Sequence, residues 1–207
     1  PFIAYVALKD HIITPTTTIT DPGWFRLPHT KHVFHDWKYN GHGKVNVTKA
    51  ITVSCDTFFY ELANKMGIKE LDKSLFSFGF GKPTHIDLDE ELAGVVPTPQ
   101  WEITHKRHNW YTGDTVITGI GQGALLVTPL QLAVATARLT KGNKPITPHL
   151  LMTSKQEKIQ NLSAHPVDNT KALDTIRVAM QDVITAPNGT AINFGKNSKY
   201  PVAGKTG

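Results

Sequence analysis

The chain has 207 residues, 40% of them hydrophobic and 19% charged, which is enough apolar side chain to bury a core and too much for a disordered segment. The formal net charge is +5, but the basic residues are scattered with no run of five, which argues against a nucleic-acid partner. A single cysteine, Cys55, excludes an internal disulfide, and no apolar run reaches the length of a membrane span.

In chain order, residues 1–10 read as a helix, with Phe2, Tyr5, Val6 and Ala7 near helical spacing and Pro1 tolerated in a first turn. Residues 14–45 carry Thr, Pro, Gly, His and Trp without periodicity and read as a long irregular stretch. Loops of that length are functional or braced by something other than a core. Residues 46–52 form a short helix candidate. Residues 56–66 form a stronger one, with Phe58, Phe59, Leu62, Ala63 and Met66 on one face and Gly67 at the stop. A further helix over 69–77 runs into the turn Gly79-Phe80-Gly81-Lys82-Pro83.

Thr128-Pro129 opens the clearest helix, as N-cap and first helical residue, with Leu130, Ala133, Val134 and Ala137 expected on its buried face and Gly142 at its end. Residues 145–153 are expected to be extended. Residues 170–184 read as a last long helix, with Leu173, Ile176, Met180 and Val183 on one side. Asn188-Gly189 is a turn, and 200–204 read as the start of a buried strand. An uncapped helix at Pro1 and a strand beginning at the end lead to the expectation of an excised segment.

Two glycine-bearing motifs need arbitration. Ala203-Gly204-Lys205-Thr206-Gly207 fails as a phosphate-binding loop, because the required upstream glycine position holds Lys199. It reads either as a Lys-Thr-Gly strand edge of serine acyl enzymes or as an accidental tripeptide, and the tripeptide alone does not decide between them. In such an edge the Lys supplies positive charge, the Thr hydroxyl holds a substrate carboxylate, and the Gly lets ligand approach the backbone. Gly119-Ile120-Gly121-Gln122-Gly123 does not fit a dinucleotide fingerprint and reads as a tight turn. Ser54-Cys55-Asp56 is either a plain helix N-cap or the Ser-x-Asn element of penicillin-recognising serine enzymes with Asp in place of Asn.

The flanking segments carry a resemblance. Thr57-Phe58-Phe59-Tyr60 follows Ser54-Cys55-Asp56. Asp21-Pro22-Gly23-Trp24, Asp36-Trp37, Gly41-His42-Gly43 and Asn46-Val47-Thr48 precede it. Trp110 to Thr115, Gly119 to Gly123, Thr128-Pro129-Leu130-Gln131 and Pro187 to Ala191 follow. In this order and spacing the chain resembles the transpeptidase domain of elongation-specific class B penicillin-binding proteins, the penicillin-binding protein 2 group, over essentially its whole length.

The resemblance implies an α+β fold: residues 1–207 would be a partial transpeptidase domain, a helix-rich segment of the penicillin-binding transpeptidase or serine β-lactamase-like fold, with most of the central sheet outside the chain. It implies catalytic roles for Ser54, Asp56 and Lys205, and substrate binding by Lys205, Thr206 and Gly207. The nucleophile of the family lies in a Ser-x-x-Lys motif directly before the position of Pro1. No Ser-x-x-Lys occurs in this sequence, so the segment alone is expected to be inactive.

The implied activity is crosslinking of peptidoglycan stem peptides through a serine acyl-enzyme, blocked by β-lactams. The alternatives are a β-lactamase or β-lactam sensor on the same fold, or a non-catalytic metal-braced module. A membrane glycosyltransferase and rod-shape scaffold proteins are the implied partners, and the implied location is a periplasmic domain of an inner-membrane-anchored protein.

The residues alone leave Cys55 as either a buried small side chain or a metal ligand beside Asp and His. The resemblance favours a structural zinc held by Asp21, Asp36, His42 and Cys55, with His32 and His35 as possible substitutes. Zinc would brace residues 14–45 and fix Ser54 and Asp56 on either side of Cys55.

Overall fold

The computed structural model describes residues 1–151 and 170–207. Its centre is α1 (Phe2–Lys9), in which every side chain from Ile3 to Leu8 is buried. A helix apolar on all sides needs neighbours on all sides, and α1 packs against both α3 (Asp56–Ser77) and α7 (Thr170–Thr185). In α7, Leu173, Ile176, Ala179 and Val183 recur at the spacing of one helical face and enter the same core. The short helix α2 (Val47–Thr52) lies across α7, capped by the Asn46 side chain, which accepts from Lys49 N–H at 2.9 Å.

Gly67 divides α3. Its φ of 72° and ψ of 165° are not helical, so the element is two helices joined at a kink, as the stop at Gly67 and the second helix over 69–77 predict. The first half carries the candidate site at its N-terminus.

Residues 14–45 are not an irregular loop. β1 (Thr18–Asp21) pairs antiparallel with β4 (Gly43–Asn46), placing Asp21 opposite Gly43. Between them, β2 (Trp24–Phe25) pairs with β3 (Phe34–His35). The inner face of this second ribbon sends Leu27 and Phe34 into a small separate core with Tyr60 of α3 and Val116 of α5 (Thr112–Thr118). Strands of two to four residues are too short for periodicity to reveal, and α5, α4 (Pro99–Lys106) and the terminal α8 (Ile192–Asn197) also escape the sequence reading.

The helix opened by Thr128-Pro129 is α6 (Pro129–Thr140), and its capping box is complete. Gln131 N–H bonds Thr128 Oγ1 at 3.1 Å, and Thr128 N–H bonds Gln131 Oε1 at 3.0 Å. Its buried face differs from the expected one. Val134 is buried as expected, but Ala133 is exposed, Leu130 and Ala137 are only partly covered, and Gln131, Ala135 and Leu139 complete the inward side. The cause is Gln131, which is 1% exposed and donates from Nε2 to the carbonyls of Lys82 (2.8 Å) and Ala93 (2.6 Å). A polar side chain, invisible to a hydrophobic pattern, sets the rotation of the helix and ties residues 82–93 to it.

The expected strand at 200–204 is not formed. The segment has no ladder partner among the described residues, and a strand exists only by pairing. Gly204 N–H instead bonds Met180 O of α7 at 3.0 Å. Residues 145–151 carry no strand either, and 152–153 lie outside the described residues.

Two stability predictions follow from buried polar groups. Gln131→Ala strands both backbone carbonyls and should cost ~2–4 kcal/mol, read as a lower urea midpoint together with faster proteolytic cleavage within residues 82–95. Unchanged cleavage would show that Gln131 does not hold that segment. Asp72, on the second half of α3, is buried with one carboxylate oxygen unpartnered, and burial raises its pKa from 3.8 to about 7. The folded state therefore keeps a proton that the unfolded chain releases, so stability falls as pH rises from about 4 to about 7 and is level beyond. Asp72→Asn should raise the melting temperature at pH 8 and leave it unchanged near pH 4. An equal effect at both pH values would contradict this assignment.

Candidate active site and metal cluster

The Ser54-Cys55-Asp56 turn joins α2 to α3. Ser54 adopts a left-handed backbone, φ 56°, fixed by Ser54 N–H to Ile51 O (3.3 Å) and Cys55 N–H to Ala50 O (2.9 Å). Ser54 is not a helix cap. The cap position is Cys55, which makes no side-chain capping bond. The Ser54 hydroxyl is free to turn elsewhere, and it accepts from Lys205 Nζ at 2.9 Å, across 151 positions of sequence.

Lys205 is delivered by the C-terminal segment. Gly204 N–H bonds α7, and Thr190 Oγ1 and Thr206 Oγ1 lie 2.8 Å apart. Thr190 N–H bonds Thr52 O at 3.3 Å, so the same turn that holds Thr206 is fastened to α2 just before Ser54. Lys205 Nζ also bonds Thr206 O at 2.6 Å and approaches Thr206 Oγ1 at 3.3 Å. Burial lowers the Lys205 pKa, and the Asp56 carboxylate opposes part of that fall. Asp56 in turn is raised by burial and by the nearby Asp36 charge, against the Trp37 N–H and Lys205. An amine brought closer to neutrality beside a hydroxyl can exchange a proton with it more readily than an exposed lysine can.

One turn behind this centre, Asp21, Asp36, His42 and Cys55 each offer a ligand atom, all within 4.8 Å of one another. His42 Nδ1 lies 2.8 Å from Asp21 Oδ2 and 3.5 Å from Asp36 Oδ1, and Cys55 Sγ–H reaches Asp21 Oδ2 at 3.4 Å. Gly23 and Gly41 let the strands close on the cluster, and a Cβ on Gly23 would collide with Tyr39 O. Gly41 has φ 68°, and a Cβ there would collide with Asp21 O and Gly23 N.

Backbone donors satisfy the buried carboxylates. Gly23 N–H and His42 N–H bond Asp21 at 2.7 and 2.8 Å, and Thr57 N–H and Lys38 N–H bond Asp36 at 3.1 and 3.0 Å. Burial would raise the Asp21 pKa, but hydrogen bonds from Gly23 and His42 help outweigh it and hold the carboxyl low. Burial pushes the Cys55 thiol well up, and the Asp36 and Asp21 charges add to the shift.

The structure therefore assembles all four expected ligands and joins Ser54, Asp56, Lys205 and Thr206 into one centre; Gly207 is exposed at the chain end. His32 and His35 are not in the cluster: His32 packs on Phe34, and His35 is exposed on the outer face of β3. The sequence reading missed Trp37 and Thr190 as site residues. Trp37 donates from its backbone to Asp56 (3.3 Å) and from Nε1 to Val53 O (3.0 Å), clamping both sides of Ser54. Both residues stood inside segments that carried the resemblance, but nothing in their spacing marked a role.

Comparison with known proteins agrees with this geometry. The family described as penicillin binding protein transpeptidase domain matches residues 1–207. The chain is 42% identical to the peptidoglycan D,D-transpeptidase MrdA of Haemophilus influenzae and 38% identical to that of Escherichia coli K12; both alignments cover 100% of this chain, but 33% and 34% of the relatives. It thus spans about a third of the length of these curated relatives.

Among solved structures, the fold matches penicillin-binding protein 2 of Pseudomonas aeruginosa in complex with WCK 5153 (TM-score 0.92, 36% identity, 100% of this chain and 48% of that one). It also matches penicillin-binding protein 2 of Helicobacter pylori, solved as a complex with MreC (TM-score 0.87, 37% identity, 100% of this chain and 38% of that one). With the Ser54–Lys205 centre in place and a match from end to end, the chain belongs to the penicillin-binding protein transpeptidase domain family.

Proposed function

We propose that this chain is the larger part of the catalytic domain of a peptidoglycan D,D-transpeptidase, which crosslinks stem peptides through a serine acyl-enzyme and is acylated by β-lactams. The observation that carries the reading is the 2.9 Å contact between Lys205 Nζ and Ser54 Oγ, with Asp56 beside it. No Ser-x-x-Lys occurs among these 207 residues, so the nucleophilic serine of this reading is not one of them.

In this reading Lys205 places positive charge where a stem-peptide or β-lactam carboxylate binds, and the Thr206 hydroxyl donates to that carboxylate. The Ser54 hydroxyl, bonded to Lys205, carries a proton to the leaving group as the acyl-enzyme forms. Asp56 holds the substrate amide and balances the Lys205 charge.

Asp21, Asp36, His42 and Cys55 would hold a structural zinc. One thiol, one imidazole and two carboxylates form a closed four-ligand donor set of the kind zinc takes. Three groups able to carry negative charge are buried there against a single imidazole, an arrangement that a divalent cation relieves. Zinc would keep Cys55 as thiolate and lock the turn that presents Ser54 and Asp56; it takes no part in bond making.

The proposed location is a periplasmic domain of an inner-membrane-anchored protein, because peptidoglycan crosslinking takes place outside the cytoplasm. No helix among the described residues is long and apolar enough to cross a membrane. The Helicobacter pylori complex with MreC, and a 26% identical match to a peptidoglycan synthase complex that coordinates polymerization and crosslinking, support a scaffold protein and a glycosyltransferase as partners.

The full-length protein should form a covalent adduct with fluorescent penicillin that persists for hours. Release within seconds would mark a β-lactamase instead. Ser54→Ala and Lys205→Ala should each slow second-order acylation by about 10²–10⁴-fold; a Ser54→Ala rate near wild type would remove Ser54 from the proton path. Protein purified without chelator should contain one zinc per chain by elemental analysis, and Cys55→Ser should lower both the melting temperature and the acylation rate. Metal-free protein whose melting is indifferent to chelator would return Cys55 to the role of a buried small side chain.

A further inference from the structure

The outer face of the β2–β3 ribbon gathers aromatic and basic side chains. Alternation along the strands turns Phe25, Leu27, Phe34 and Asp36 inward and Trp24, Arg26, His35 and Trp37 outward, and burial follows that alternation on both strands. Residues 22–44 contain four permanent cations, Arg26, Lys31, Lys38 and Lys44, and a single acid, Asp36. Asp36 is 5% exposed and faces the metal cluster, so this stretch shows solvent no carboxylate at all.

The same stretch exposes three aromatic side chains, Trp24, Trp37 and Tyr39, and no large aliphatic one. The Arg26 guanidinium lies over the Trp24 ring at 5.5 Å. This face is continuous with the catalytic centre, because Trp37 donates to Val53 O and to Asp56 on the two sides of Ser54.

We infer that this face binds a glycan strand of peptidoglycan and guides its stem peptide toward Ser54, an inference that rests on the transpeptidase reading above. The chemistry of the occupant follows from the surface. Rigid aromatic rings offer flat contact to pyranose rings at low entropic cost, and cations with no acidic partner among the described residues attract the carboxylates that such a strand carries along its length. A membrane surface is the poorer match, because membrane-seeking faces add exposed Leu, Ile or Phe to their basic residues and this one has none. The ribbon that carries the face is the one whose inner side bears Asp36, so the metal cluster also sets the orientation of the binding surface.

The test uses the full-length protein and labelled, uncrosslinked glycan strands bearing stem peptides, with affinity read by fluorescence anisotropy. The triple variant Arg26→Gln, Lys31→Gln, Lys38→Gln should bind strands about tenfold or more weakly at low ionic strength, with the gap narrowing as salt is added. Trp24→Ala with Tyr39→Ala should weaken binding by about threefold or more at high salt, where only the non-ionic contact remains. Fluorescent penicillin has no glycan, so its acylation rate should stay within about twofold of wild type in both variants.

Strand affinity unchanged in both variants would overturn the inference. So would a parallel fall in penicillin acylation, which would mean that the substitutions merely disturb the Ser54 turn. Loss of binding to phosphatidylglycerol vesicles with strand binding intact would overturn it in favour of a lipid surface. Failure of the wild-type protein to take up penicillin at all would instead sink the transpeptidase reading, so the two outcomes are distinguishable.

Discussion

The site depends on the burial of two carboxylates, Asp21 and Asp36, against the N-terminus of α3. Neither is matched by lysine or arginine among the described residues. Each is satisfied by backbone N–H groups drawn from segments far apart in sequence: Gly23 and His42 for one, Lys38 and Thr57 for the other. A carboxylate bonded in this way is an anchor with fixed direction, because moving any of the donors exposes a buried charge. The β1–β4 and β2–β3 ribbons have few apolar side chains to hold them, and these anchors, with His42 and Cys55, fasten them to the helix that begins at Asp56.

The Ser54–Lys205 centre inherits its geometry from that fastening. Ser54 is reached from three directions: through Cys55 from the cluster, through Trp37 from the ribbon, and through Lys205 from the C-terminal segment. The last is itself tied down at Thr190 and Gly204 to α2 and α7. Asp56 receives opposing influences from Asp36, which raises its pKa, and from Lys205, which lowers it. The electrostatics of the Asp21–Asp36–His42–Cys55 cluster and of the Ser54–Lys205 centre are therefore coupled through one side chain, and a change of charge in the first is felt in the second.

The parts of the fold legible in the sequence were those governed by local rules. α1, both halves of α3, α6 and α7 lie where periodicity, caps and Gly67 put them. The ribbons were not legible, because a strand of two residues carries no period and its existence is decided by a partner found only on folding. The buried face of α6 was misjudged because its anchor is Gln131, a polar residue whose partners are carbonyls nearly 40 and 50 positions upstream. The strand at 200–204 was misjudged because apolar composition does not supply a neighbour.

The site was legible through resemblance rather than physics. No local rule brings Lys205 to Ser54 across 151 residues, or separates Asp21, Asp36 and His42 from the other acids and histidines of the same stretch.

Ser54 itself carries a consequence for how such a protein can change. A serine at φ 56° occupies a conformation that costs a residue with a Cβ roughly 1 kcal/mol or more and that glycine adopts freely. Backbone preference and chemistry thus pull this position in opposite directions. Selection for folding or expression alone would drift toward glycine and yield a better-behaved protein without the hydroxyl that Lys205 addresses. A library screened for thermal tolerance should therefore be read at this position with suspicion, since a gain there removes the hydroxyl that Lys205 addresses.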